Sequence, residues 1–280
     1  MGKIRHPDVV DNRVTETEWE ADSFHLIGGQ ASQNIIRTAT LVVAANNSST
    51  QCKAEADYIC DGVADNVEIQ AANDAADGGL VFLHAGTYNC DSFTLDKCTL
   101  KGAGARTLHA GGTDGGTRIN LNDSSAQITV TEKGRMHELK VIVPNAYTGK
   151  TITVQGKPDF AGLVDVLSRI IIEKPGWESA QHTGTGLLLN AGADTCLAYA
   201  TFGPIVINGF EYAFKMTAGP KATDELCGNY FSSLLIQRAK YAVTLDASGG
   251  GLVCSNVFAS VIFDAVSGAA DGITLIDTGV

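Results

Sequence analysis

Three stretches decide the reading: Phe202-Gly-Pro-Ile205-Val206-Ile207, Phe231-Ser-Ser-Leu234-Leu235-Ile236 and Phe258-Ala-Ser-Val261-Ile262-Phe263. Each has one aromatic residue, two spacers and three apolar residues. Weaker copies are Leu167-Ser-Arg-Ile170-Ile171-Ile172 and Glu138-Leu-Lys-Val141-Ile142-Val143. The five starts, at 138, 167, 202, 231 and 258, are 29, 35, 29 and 27 residues apart. The likeness runs beyond one strand. Ten residues after Phe202 and Phe231 come Tyr212-Ala-Phe-Lys215-Met216 and Tyr241-Ala-Val-Thr-Leu245, and Gly272-Ile-Thr-Leu275 matches them after an insertion near Ser267-Gly268. Asn229 and Asn256 stand two residues before their phenylalanines, and Cys227 and Cys254 two before those.

A repeat of this length means a solenoid in which each unit buries its core only against its neighbours. Helical repeats of similar length exist. These units, however, are short β-branched and aromatic runs separated by Gly, Asn, Asp and Ser. Each unit is therefore one coil of two or three short strands, stacked in parallel about 4.8 Å apart. Like residues should then form columns: Phe231 on Phe258, Cys227 near Cys254, and Asn229 beside Asn256 at a bend. Insertions belong in turns, at Gly111–Gly116 and Ala218–Leu226. About 200 residues at ~29 per coil predict about seven coils.

Composition narrows the partners. The chain has 280 residues and a net charge of −11, from 20 Lys+Arg against 31 Asp+Glu. Nucleic acid and anionic membrane surfaces select basic footprints, so neither is expected as a partner. Hydrophobic residues at 44% exclude wholesale disorder. No apolar run is long enough to span a membrane. The start, MGKIRHPDVV, has no apolar core or cleavage pattern, so no signal peptide is expected. The seven cysteines include no C-x-x-C pair and read as buried reduced thiols, with no metal expected.

Three parts follow. Residues 1–38 are polar, with isolated Trp19, Phe24 and Leu26 and no sustained period, and read as an attachment arm. Residues 39–79 read as an opening strand, Thr40–Ala45, followed by a capping helix. Asp65 as N-cap with Glu68 three residues on has capping-box spacing, Val67, Ala71 and Ala75, with Ala72 and Ala76 beside them, form a narrow apolar stripe, and Gly78-Gly79 stops the helix. It is the one helix the sequence predicts. Leu80–Leu83 then reads as a strand and Ala85–Tyr88 as a turn, opening the solenoid of residues 80–280. Asp61-Gly62 and Asp65 lack the spacing of an EF-hand loop and read as turn and cap residues.

Asp61-Gly-Val-Ala-Asp65-Asn-Val-Glu-Ile-Gln-Ala-Ala72, then Gly78-Gly-Leu-Val-Phe-Leu-His-Ala-Gly-Thr-Tyr88, resembles the N-terminal segment of the pectate-lyase-like superfamily. His84 stands where that pattern has proline. Lys101-Gly-Ala-Gly104 followed by Arg118-Ile119 resembles the family's next coil with an insertion. The likeness covers residues 57–120, and later coils by repeat pattern alone. It implies an all-β fold, a right-handed single-stranded parallel β-helix whose first end is capped by the helix 66–76. The spelling Ala56-Asp-Tyr-Ile-Cys-Asp-Gly62 resembles β-helices of bacteriophage tail and virion proteins.

That superfamily includes polysaccharide lyases, glycoside hydrolases, tailspikes and non-catalytic virion proteins, so fold alone assigns no function. A hydrolase needs two carboxylates roughly 5–9.5 Å apart on one face. The candidate acids are Glu211, Asp246 and Asp264, with Lys215, Arg238 and Lys240 nearby. Their repeat offsets differ, so no two acids are expected in one column. Glu211 falls opposite Lys240 and predicts an ion pair between coils. Histidines 6, 25, 84, 109, 137 and 182 form no HxxxH or HxH and read as surface or turn residues. Asn46-Asn-Ser48 matches a glycosylation sequon, which carries no weight without an export signal. Gly102-Ala-Gly104 has no following G-K-[ST], so it is not a phosphate loop. No catalytic, cofactor-binding or metal-binding residue is assigned.

The final strand, Gly272–Val280, has no cap after it, and a bare coil edge recruits another chain. A homo-oligomer, a trimer first, is therefore expected. The first functional expectation is a structural protein of a phage or prophage virion, a tail spike or fibre or a capsid-decorating appendage. It would be assembled in the host cytoplasm, attached to other virion proteins through residues 1–38, and able to hold surface polysaccharide. The alternative is a polysaccharide lyase or glycoside hydrolase. A cell-surface adhesin would require an export signal.

Overall fold

The structure is a computed structural model that describes residues 40–105, 115–131, 134–158, 165–176, 182–264 and 273–276. The arm 1–38, His6, His25, His109 and most of the insertion 111–116 lie outside those residues.

The described chain is all-β apart from two helices, α1 (Thr50–Glu55) and α2 (Asn66–Ala76). Its strands stack in three parallel sheets, the arrangement of a solenoid. The first sheet runs from Tyr58–Ile59 and Thr40–Ala44 through Leu80–Leu83, Thr99–Gly102, Arg135–Ile142 and Leu167–Glu173. It ends in three split strands that begin at Thr201, Tyr230 and Val257. The second sheet has seven strands, from Phe93–Leu95 to Ile273–Ile276, which mark the expected seven levels. The third joins Cys196–Ala198, Glu225–Cys227 and Leu252–Cys254.

Residue-on-residue columns fill the space between the sheets. Phe202, Phe231 and Phe258 are in register, with ring centroids 4.6 and 4.7 Å apart and planes within 9° of parallel. Phe93, Ile128, Ile152, Leu187, Phe214 and Val243 form a second column, and all six are buried. Tyr212 lies in register with Tyr241 at 5.0 Å. Spacing near 4.8 Å along every column follows from the strand-to-strand hydrogen-bond distance.

The asparagine ladder is also present. Asn229 is fully buried; its Oδ1 accepts from the Ala200 amide at 3.0 Å and its Nδ2 donates to the Leu197 carbonyl at 2.9 Å. The same Nδ2 donates to Asn256 Oδ1 at 2.9 Å, and Asn256 repeats the pattern by donating to the Leu226 carbonyl at 2.7 Å. The residues just before these asparagines, Gly228 and Ser255, have φ of 67° and 53°, and Tyr199 of the level before has 55°. A left-handed residue turns the chain sharply, and the amide side chain then bonds the backbone groups that the bend takes out of the ladder.

Several sequence expectations need correction. The weak copy placed at Glu138 is displaced by two: Leu167 lies opposite Met136, and Ile170 opposite Leu139. Glu138 and Arg169 carry φ of 58° and 53° inside strands that run straight through the position where later levels break. A slip of two keeps the same face inward, so periodicity alone cannot detect it. On α2 the expected stripe divides: Ala72 and Ala76 are buried, together with Ile69, but Val67, Ala71 and Ala75 face solvent. The capping box does not form, because the Asp65 carboxylate accepts instead from the Gly62 amide at 2.8 Å and the Asn89 amide at 2.7 Å. Residues Gly86–Cys90 are a strand paired with Thr117–Leu121, where a turn was expected. The sequence also gave no sign of α1, whose N-cap Ser49 accepts from the Cys52 amide at 3.1 Å. Cys227 and Cys254 are joined by a disulfide, where reduced thiols were expected.

Candidate functional site

The residues singled out in the sequence meet mainly on the outer side of the second sheet, at the fifth and sixth levels. There the strands Tyr212–Ala218 and Tyr241–Asp246 lie in register; two successive buried residues, Ala213 and Phe214, break the inward–outward alternation and leave Tyr212 on the same side as Lys215. The stacked rings of Tyr212 and Tyr241 form the centre of this face. Glu211 and Lys240 flank it and bond at 3.1 Å, as their equal offsets predict. Lys240 also sits over the Tyr241 ring at 5.1 Å. The Glu211 hydrogen bond and charge, followed by Tyr241, raise the Lys240 ammonium above its usual range.

On the other side, Lys215 lies over the Tyr212 ring at 5.4 Å and bonds Asp246 at 2.9 Å. Lys215 is in register with Thr244, so it reaches Asp246 diagonally, two residues further along. Burial alone would raise the Asp246 carboxyl. The Ser248 side-chain bond, the Lys215 bond and the Ser248 amide outweigh it and hold the group below the ordinary carboxylate range. A depressed folded-state pKa contributes stability above the unfolded value, and that contribution is lost as pH falls through the folded one. Asp246→Asn is therefore expected to flatten the decline of melting temperature below about pH 4. A parallel decline in variant and parent would show that this carboxylate does not couple to folding.

Asp264 lies on the first sheet, where its carboxylate accepts from Gln237 Nε2 at 2.7 Å, while its backbone carbonyl accepts the Arg238 amide at 3.1 Å. Its column reads Glu173, Asn208, Gln237, Asp264. Two acids thus share a column after all, against the sequence expectation. Two amides separate them, however, and three levels at about 4.8 Å put them roughly 14 Å apart. Glu211 and Asp246 are also distant. Asp246 lies six residues beyond Glu211's partner Lys240, about 20 Å along an extended strand. The three candidate acids therefore do not form the pair that glycoside hydrolysis requires. Each is held by a lysine or an amide.

Sequence reasoning missed two charged groups. Glu138 lies between Lys101, 3.5 Å away, and Arg169. Burial raises its carboxyl, but Arg169 and Lys101 together hold it below the usual range. Its column position was hidden by the two-residue slip. Lys140 and Glu173 form a buried ion pair at 2.6 Å. Next to Glu173 in sequence, Lys174 donates to the Tyr147 carbonyl at 3.3 Å and to Thr183 Oγ1 at 2.6 Å. Burial lowers the Lys174 ammonium. Charged residues at outward strand positions usually mean solvent, so nothing in the sequence marked these as covered.

Neither His84 nor His137 is placed as a ligand: His84 packs edge-on to Phe82 at 5.4 Å, and His137 Nε2 bonds the Asp165 carbonyl at 2.7 Å. At Gly102 an added Cβ would lie 2.6 Å from the Glu138 carbonyl, so this glycine permits close packing of adjacent levels. No helix among the described residues is long and apolar enough to cross a membrane.

The tyrosine face thus offers phenol edges, two lysines and two carboxylates, each charge already paired. Such a surface makes directional hydrogen bonds without a net charge. No family model, curated protein or solved structure matches the chain.

Proposed function

We propose that the chain is a structural protein of a phage or prophage virion, a β-helical spike, fibre or capsid decoration that binds surface polysaccharide. On this reading the solenoid is a right-handed parallel β-helix of the pectate-lyase-like kind, and α2 caps its first end. In support of the cap, α2 buries Ile69, Ala72 and Ala76 in the core and packs on the strands Thr40–Ala44, Leu80–Leu83 and Phe93–Leu95. Residues 1–38 attach the protein to its particle, and a homotrimer is the assembled form. The observation that carries the reading is the column Phe202–Phe231–Phe258 with its asparagine ladder, a repetitive stack in which each level is paired with the next. The neutralised acids favour binding over cleavage. A net charge of −11 further favours a neutral glycan over a polyanion.

Incubation with pectate, alginate and host capsule should yield no new reducing ends and no unsaturated products, while a neutral capsule retains the protein on a column. Release of such products would favour the lyase or hydrolase reading. Deleting residues 2–30 is expected to leave the far-UV circular dichroism unchanged and to abolish incorporation into particles. An unfolded deletion variant would show that the arm belongs to the fold. A solution mass equal to 29.3 kDa would refute the trimer.

A further inference from the structure

A second cluster lies far from the tyrosine face, where the loop before α2 meets the strand Gly86–Cys90. The loop turns on two left-handed residues, Gly62 (φ 92°) and Ala64 (φ 52°), which bring Cys60 back against the first turn of the helix. As a result one donor atom from each of Cys60, Asp65 and Glu68 lies within 4.8 Å of the others. Cys60 and Asp65 are buried. Asp65 is tied to the neighbouring strand in both directions, its amide donating to the Asn89 carbonyl at 2.8 Å and its Oδ2 accepting from the Asn89 amide at 2.7 Å.

Cys60 is a free thiol in the same core as the inward face of α2. One Glu68 carboxylate oxygen, Oε2, is buried without a hydrogen-bond partner. Leaving a buried carboxylate oxygen without a partner is unfavourable, and a cation supplies what is missing.

We propose that Cys60, Asp65 and Glu68 form a binding site for a zinc-like divalent ion. One sulfur and two carboxylate oxygens are three protein ligands of mixed softness, a set that suits a borderline-soft, tetrahedral metal with its fourth position open to water. Metal–ligand bonds of about 2.0–2.3 Å put tetrahedral ligands roughly 3.3–3.8 Å apart, so a small inward movement closes the cluster. Each Asp65 oxygen keeps a lone pair beyond the amide it already accepts from. Binding displaces the Cys60 thiol proton to solvent, which leaves one thiolate and two carboxylates around the ion. The ion would pin the loop to the helix start.

The test uses the full chain, reduced and stripped of metal with a chelator, then titrated with cobalt(II). The expected result is a near-ultraviolet thiolate-to-cobalt band that saturates at one equivalent, is bleached by zinc(II) and is lost in Cys60→Ser. The band should survive in the Cys52→Ser/Cys196→Ser double variant, which removes the more accessible free thiols. Should Cys60→Ser fail to fold, Glu68→Gln serves instead, because Glu68 is partly exposed. It should weaken cobalt binding by at least about tenfold, the loss seen when even an outer partner of a metal ligand is removed. Absence of a band in the folded parent, a band unchanged in Cys60→Ser, or unchanged affinity in Glu68→Gln would each overturn the proposal.

Discussion

Phe231→Ala is expected to lower the unfolding free energy by about 3–5 kcal/mol, the usual cost of deleting a buried aromatic side chain. The ring is buried and covered on both faces, by Phe202 at 4.6 Å and Phe258 at 4.7 Å, and Phe214 meets it edge-on at 5.2 Å. Its neighbours are held at fixed strand spacing, so they cannot collapse into the space left behind. Phe258→Ala should cost less, because Phe258 is only partly buried and sits at the seventh level. Phe231→Leu separates volume from stacking: it keeps most of the apolar contact and loses the aromatic pairs, worth about 0.5–1.5 kcal/mol each. Denaturant midpoints followed by circular dichroism supply the comparison. An alanine variant within about 1 kcal/mol of the parent is incompatible with a close-packed column of rings.

The later levels were legible because three copies have nearly equal length and carry their left-handed residues at matching positions, as at Tyr199, Gly228 and Ser255. One aligned phenylalanine then fixes Asn229 against Asn256, Tyr212 against Tyr241 and Glu211 against Lys240. Legibility failed where two apolar triplets compete. The two-residue spacer survives as His137-Glu138 and Ser168-Arg169, but Val141-Ile142-Val143 offers a second triplet two residues late, and the alignment slips without altering the hydrophobic pattern. On α2, alanines occupy both faces, so composition could not choose between them. Ile69, the one large residue of the buried face, decides the orientation.

The candidate site shows the same division. Straight inter-level contacts follow from equal offsets, and Glu211–Lys240 is one of them. Lys215–Asp246 runs diagonally, and a long side chain chooses among several partners by its rotamer, so sequence offset is silent about it. The pair Lys140–Glu173 needs knowledge of what covers the outer side of the first sheet. At Cys60, Asp65 and Glu68 the spacing matched turn and cap chemistry, and only the backbone path shows that the three donors converge.

Breaking the Cys227–Cys254 bond is expected to lower stability by about 3.5 kcal/mol, the chain-entropy value for closing a loop of 27 residues. The two cysteines are in register on the third sheet, with Cα atoms 4.7 Å apart, and the bond ties the sixth level to the seventh. That seventh level is the weakest part of the described stack. Val253, Phe258 and Val261 are only partly buried and Ile273 is exposed, whereas their register partners in the level before, Leu226, Phe231, Leu234 and Val243, are buried. Little apolar burial means a low local unfolding free energy, so the cross-link should matter more here than elsewhere. Reduction, or Cys254→Ser, should speed hydrogen exchange across Leu252–Ile276 while leaving Leu80–Asp246 protected. Equal protection of the seventh level in both forms would show that strand pairing alone holds it. The bond also bears on the proposed virion role. Cytoplasm keeps thiols reduced, so a chain assembled there would carry Cys227 and Cys254 open and close them only on release into an oxidising medium. Alkylating thiols in freshly lysed cells and in released particles should then label the pair in the first sample and not in the second, and the released protein should have the higher denaturant midpoint. Equal labelling of the two samples would leave the disulfide without a part in maturation.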